Sequence, residues 1–298
     1  MSTSPRPAVL IPFAITTLIW GSTWIVITGQ LGVVPPSWSV AYRFTIAGFT
    51  MGVIALARRE RLAIDARGAG FILLFGLAQF AANYNFVYFA EQHITSGLVA
   101  VVFALLLVPN AVFGRIFLGQ HFTRQLLIGS AVAMVGVVLL FVHEARRDAG
   151  ASGEVLLGIA MALVAVLSAS IANVMQASSV ARRQPMSAML AVAMLTGAAG
   201  DALFAWGFDG PPRWDPRLEY WLGLAYLGVV ASALAFTLYF GVLRAIGPAR
   251  AAYTSVIIPV IAMGFSTLFE GYRWSALALL GALLTLAGIV LALRSRRS

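Results

Sequence analysis

The chain of 298 residues contains no cysteine and no lysine, and only 10% of its residues are charged. Without cysteine there can be no disulfide, thiol nucleophile, zinc knuckle or iron–sulfur cluster. The shortage of charge excludes a soluble domain, which needs roughly 25% charged residues to cover itself. All 20 basic residues are arginines, so the net charge of +9 comes from one residue type scattered thinly through connecting segments. No patch interleaves arginine with aromatics, which argues against a nucleic-acid partner.

What is present is hydrophobic: 60% of residues are apolar and the mean hydropathy is +0.90. The solvent for most of this surface must be lipid. A helix needs about 20 apolar residues to cross a bilayer core of roughly 30 Å. Runs and punctuation give ten candidate spans: 8–29, 36–57, 69–90, 95–117, 123–142, 155–179, 187–206, 219–241, 248–270 and 274–293. The apolar run that begins after Met1–Pro7 outlasts a signal-peptide core and reads as the first span. Pro36 and Pro248 stand at helix starts, where a missing N–H costs nothing. The fold expected is therefore all-α, a polytopic membrane protein.

Orientation follows the arginines. Arg6, the group Arg58, Arg59, Arg61 and Arg67, then Arg115, Arg124, Arg182, Arg183, Arg244, Arg250, Arg294, Arg296 and Arg297 fall on one side of this layout. Only Arg146, Arg147, Arg213, Arg217 and Arg273 fall on the other. Both termini are then cytoplasmic. Arg43 is the one arginine well inside a span.

The two halves resemble each other near their ends. The offset from Pro109 to Gln120 equals that from Pro259 to Glu270, and Gly129–Gly136 has the spacing of Gly281–Gly288. Two repeats of five spans, 1–145 and 154–298, would enter the membrane in opposite senses. Inverted repeats of this kind surround a midplane site that opens alternately to either side.

Trp20-Gly21-Ser22-Thr23-Trp24, Arg43-Phe44 and the block Pro109…Gly119-Gln120…Gly129…Gly136, with Pro259…Glu270…Gly281…Gly288 as a second copy, resemble the EamA-type repeat of the drug/metabolite transporter superfamily. The resemblance spans nearly the whole chain, although the family's Gly-Glu pair is Gly119-Gln120 in one copy and Phe269-Glu270 in the other. It implies ten helices in a five-plus-five duplication. It also implies export of amino acids, aromatic ones among them, and related metabolites across a bacterial inner (plasma) membrane. These motifs belong to the scaffold and specify no solute.

Polar residues inside spans must face other helices or a water-filled cavity. The third span carries Gln79, Asn83, Tyr84, Asn85 and Tyr88; Gln79 and Asn83 share one face, and Tyr84 and Tyr88 form a second pair. They suit either a substrate cavity or hydrogen bonding between helices. The sixth span offers Ser168, Ser170, Asn173 and Gln176 with the same two readings. Trp20 and Trp24 share a face of the first span, Phe103 precedes Pro109 on the fourth, and Tyr253 and Ser255 precede Pro259 on the ninth. The two prolines are candidate hinges. Arg43 can meet a substrate carboxylate, pair with Asp201 or Glu270, or snorkel to the interface. Asp201 and Glu270 sit near span ends, where a structural role fits better than proton coupling. Small residues on spans 5 and 10 mark them as packing or dimer elements, in a monomer or weak homodimer.

These residues point to a carrier of small amphipathic solutes with no cofactor and no metal. An intramembrane enzyme needs a nucleophile–base pair or a metal set at membrane depth. His93, His121 and His143 all fall at span ends, which leaves that reading without reactants. A phosphate-bearing substrate would call for several basic residues in the cavity, and Arg43 stands alone.

Overall fold

The computed structural model describes residues 7–60, 66–119, 124–147, 152–246 and 254–293. Within them the chain is helical. We number the long helices in chain order. α1 is Pro7–Thr28 and α2 is Pro36–Ala57. α3 joins Ala66–Gly76, a π-helical stretch Leu77–Ala82 and Asn83–Glu91. α4 joins Ser96–Phe103, a 3-10 turn Ala104–Leu106 and Leu107–Leu118. α5 is Arg124–Arg147, α6 Ser152–Ala177 and α7 Met186–Phe208. α8 joins Leu218–Ala225, a second π-helical stretch Tyr226–Leu234 and Ala235–Ile246. α9 is Thr254–Phe269 and α10 is Ala276–Leu293. Seven of these helices are long and apolar enough to cross a membrane, and α5, α9 and α10 contribute shorter apolar stretches. The protein is thus a polytopic helical membrane protein.

Local chemistry accounts for the breaks. Pro36 starts α2 in the first turn, where no hydrogen bond is lost. Pro109 has no N–H for the carbonyl one turn earlier, and the helix tightens into its 3-10 turn just before it. Gly119 ends α4 in the left-handed conformation (φ 67°), as a helix C-cap requires. Between α7 and α8, Trp38 donates to the Gly210 carbonyl, Tyr42 to that of Arg213 and Trp221 to that of Asp215. Arg217 grips Asp215 through both carboxylate oxygens and holds its carboxyl pKa below the usual carboxylate range.

Helix pairing is specific. α5 lies along α10, and α2 along α7. α1 packs on α8 and α9, α6 on α3 and α4, α4 on α9, α2 on α8, and α3 on α7. Gly129 and Gly136 of α5 meet Gly288 and Gly281 of α10 so closely that a Cβ at any of them would strike the opposing backbone. The small faces read from the sequence therefore meet each other within one chain, where lipid offers no hydrophobic drive and close packing must do the holding.

Candidate substrate cavity

A cavity of about 190 Å³ lies between α1, α3 and α4 on one side and α6, α8 and α9 on the other. Helical periodicity builds its walls. Trp20, Thr23, Trp24 and Ile27 of α1 follow the i, i+3, i+4, i+7 pattern of one face. From α3 come Gln79, Asn83, Tyr84 and Val87; from α4, Phe103 and Asn110. Ala169 and Asn173 of α6, Phe236 and Tyr239 of α8, and Thr254, Ile258 and Pro259 of α9 close the other side. Among the described residues, no lining side chain carries a charge.

The aromatic lining packs in two groups, one around Trp20 and one around Trp24. Trp20 sits 5.4 Å from Phe236 and 4.9 Å from Tyr239, and Trp24 sits 5.2 Å from Phe103, all between ring centroids. Trp20 is anchored by its indole N–H, which donates to the Ala231 carbonyl at 3.1 Å. That carbonyl belongs to the π-helical stretch of α8, where the wider turn is of the kind often found at functional sites. Ser22 and Tyr226 add a 2.7 Å hydrogen bond between the same two helices.

The amide lining is only partly satisfied. Asn173 Nδ2 donates to Asn110 Oδ1 at 3.4 Å, joining α6 to α4. Asn83 Nδ2 donates to the Gln79 carbonyl on its own helix, and its Oδ1 has no partner among the described residues. The Trp24 indole N–H has none either. Buried groups in this condition cost about 1–3 kcal/mol each unless something else satisfies them. An unpartnered acceptor and an unpartnered donor on one cavity wall suit a ligand that brings both.

Of the residues proposed from sequence, Trp20, Trp24, Gln79, Asn83, Tyr84, Phe103, Asn173 and Pro259 line this cavity. Arg43, Tyr88, Ser168 and Pro109 do not. Arg43 is fully buried behind the wall, its guanidinium 4.3 Å from the ring of Tyr84 and its Nε donating to Ser232 Oγ at 3.2 Å. Tyr88 is turned away because Tyr84 already stands at the edge of the lining face, and a further i→i+4 step rotates about 40° beyond it. Ser168 is half-buried, one residue before Ala169, which does face the cavity. Tyr253 lies outside the described residues, as does the side chain of Ser255. Asp201, proposed as a partner of Arg43, is instead bound by Asn85 of α3. Glu270 accepts from the N–H and Oγ of Ser96 at 3.1 and 2.7 Å. Thr23, Asn110, Phe236, Tyr239 and Thr254 are lining residues that sequence reasoning missed. Thr23 is legible from its place between Trp20 and Trp24, and Asn110 as an amide in an apolar run.

Comparison with known proteins agrees with this architecture. The model of the EamA-like transporter family matches twice, at residues 8–142 and 156–294. Protein PagO of Salmonella typhimurium is 23% identical, over 98% of this chain and 94% of its own length. The uncharacterized inner membrane transporter YedA of Escherichia coli is 27% identical over 88% of this chain and 85% of its own. A probable amino-acid metabolite efflux pump of Salmonella typhimurium is 23% identical over 95% of each. One crystal structure of a protein 21% identical in sequence superposes with a TM-score of 0.67 and covers 97% of both chains.

Proposed function

The chain belongs to the EamA-like transporter family, and on that premise we propose that it exports amino acids and related small amphipathic metabolites across a bacterial inner membrane by alternating access. The observation that carries this reading is the cavity wall itself. Its described lining is uncharged and rich in aromatics on both sides, and bears an acceptor at Asn83 Oδ1 and a donor at Trp24 Nε1 that have no partner among the described residues. A zwitterionic amino acid supplies the complement: its ammonium to the amide oxygen, its carboxylate to the indole N–H, its side chain to the rings. A cavity of about 190 Å³ is smaller than the roughly 300–1,000 Å³ of drug-sized sites, which suits a single small solute. The name of the efflux-pump relative points the same way.

The transport cycle in this reading is that of two inverted five-helix repeats, 1–145 and 154–298, with ten spans and both termini in the cytoplasm. Exchanging each helix for the one five places on supports it. α1–α9 becomes α6–α4, α1–α8 becomes α6–α3, and α2–α8 becomes α7–α3, while α5–α10, α2–α7 and α4–α9 map onto themselves; every one of these pairs is packed. The π-helical stretches sit in the third helix of each half, and Pro109 and Pro259 in the fourth. The cavity walls, α1, α3 and α4 against α6, α8 and α9, exchange as well. Pro109 and Pro259 then serve as the flexible points about which the fourth helices rock.

Transport of a drug or another metabolite of the same superfamily is the second reading, favoured by the aromatic lining. A cationic drug would want an acidic lining group and a sugar phosphate a basic one, and the described lining offers neither. Purified protein in liposomes should move radiolabelled L-phenylalanine with saturable kinetics, with other neutral amino acids competing. Flux that rises linearly with concentration would mark a channel, and competition by phosphorylated sugars alone would overturn the amino-acid reading.

A further inference from the structure

Behind the cavity wall lies a cluster of charged groups that solute binding does not use. Glu91 is the last residue of α3 and is buried, being 6% exposed. Neither of its carboxylate oxygens has a hydrogen-bond partner among the described residues. Its carboxylate interacts electrostatically with two groups from other parts of the chain, the Glu270 carboxylate just past the end of α9 and the Arg43 guanidinium of α2. Arg43 is in a matching condition: fully buried, with Nε donating to Ser232, the Tyr88 hydroxyl beside its guanidinium, and no carboxylate in contact with it among the described residues.

Isolated charges cannot remain so in a low-dielectric interior. The desolvation penalty is relieved by a counter-ion at contact or by loss of the charge. Glu91 has both routes within reach. It can close on the Arg43 guanidinium in place of the Tyr88 hydroxyl, or it can take a proton from water onto one carboxylate oxygen. The facing groups bias this choice. Glu270 opposes a second negative charge and is itself held by Ser96 at the start of α4. Tyr84 and Tyr88 face the cluster from α3. From the side of α6 the titratable group is Glu154, already paired with His93.

Position gives the choice a consequence. Tyr84 is at once a cavity wall and the ring on which the Arg43 guanidinium lies. Asn110, Thr254 and Asn173 line the cavity well away from Glu91 along their helices: Asn110 is fourteen residues beyond Ser96 on α4, about 21 Å by helix rise. The cluster therefore ties α2, α3 and α8 together at the Glu91 end, where Glu270 also joins α9 to α4.

Resting on the transporter reading above, we propose that Glu91 is a proton-binding site whose protonation alternates with ion pairing to Arg43, so that outward movement of solute is coupled to inward movement of a proton. One O–H bond forms at the carboxylate when a proton arrives from water on one side of the membrane. The same bond breaks when Arg43 closes on Glu91 and the proton leaves to the other side. Solute reaches this switch through Tyr84, so filling the cavity and moving Arg43 are one event.

The first test needs no solute. Infrared difference spectra of the purified protein in lipid, recorded between acid and neutral pH, should contain a carboxylic-acid band that disappears in Glu91→Gln and survives in Asp201→Asn. An unchanged band in Glu91→Gln would overturn the proposal. The second test uses L-phenylalanine in liposomes. Glu91→Gln, the isostere of the protonated acid, should keep exchange of labelled for unlabelled solute within about twofold of wild type and lose accumulation driven by a pH gradient. Gradient-driven accumulation at the wild-type level in that variant would also overturn it. If wild type moves no amino acid, that outcome counts against the amino-acid reading and the infrared result decides the proton site.

Discussion

Adding a single methyl group at Gly136 or Gly288 is expected to destabilise the protein, although alanine is the better helix former by about 1 kcal/mol. A Cβ on Gly136 would lie 2.5 Å from the Gly281 carbonyl oxygen, and one on Gly288 would lie 2.5 Å from that of Gly129. Both obstacles are backbone, so no side chain can swing aside. The helices must part, and overpacking of this kind costs about 1–3 kcal/mol per site, occasionally more. Separating α5 from α10 also exposes the rest of the seam, including the Thr285 hydroxyl that donates to Gly281. Gly52 of α2 and Gly207 of α7 are the controls: a Cβ there meets nothing within 4 Å, so alanine should leave stability unchanged or raise it. Thermal unfolding in detergent and the fraction of monodisperse protein read the difference. The double variant Gly136→Ala, Gly288→Ala should show the largest loss. Equal melting temperatures for seam and control variants would contradict the packing.

That seam is legible in the amino-acid sequence, because equal glycine spacings on two helices need no three-dimensional information beyond the helix pitch. The same holds for α2, whose span 36–57 coincides with the helix Pro36–Ala57, bounded by proline before and arginine after. The cavity is legible where lining residues follow one helical face, as Trp20 and Trp24 do, or where an amide stands out against apolar neighbours, as Asn83 and Asn173 do. It is not legible where partner choice decides. Arg43 has the pattern of a substrate ligand because it is the lone cation inside a span, yet α2 packs on α7 and α8 and never reaches the cavity. Glu91 reads as a residue outside the membrane because it ends α3, and only tertiary packing buries it. Nor does periodicity foresee a π-helical stretch, which changes the number of residues per turn. The Trp20 anchor on Ala231 depends on one.

Asn83 and Asn85 separate the two meanings of a polar residue in a span, and replacing each by leucine should give opposite results. They lie two residues apart on α3 and are both buried. Asn83 faces the cavity, and its Oδ1 has no partner among the described residues. Asn85 faces α7, where its Nδ2 binds the Asp201 carboxylate, and it lines no part of the cavity. Asn83→Leu removes a hydrogen bond to a charged solute group, worth about 1.5–3 kcal/mol. The half-saturating concentration for L-phenylalanine should rise roughly 10–100-fold, at tenfold per 1.4 kcal/mol. Stability should hold, because the side-chain bond Asn83 makes among the described residues is to the Gln79 carbonyl on its own helix. Asn85→Leu leaves Asp201 buried with no partner, at a cost of about 1–3 kcal/mol or more for a charged group. Its melting temperature should fall while the protein that remains folded binds solute as wild type does. Removing the carboxyl group with Asp201→Asn in the Asn85→Leu background should recover part of the loss, since the stranded acid is then gone. A fall in stability for Asn83→Leu at unchanged half-saturation would show that its amide holds helices together, and would take the cavity reading of α3 with it.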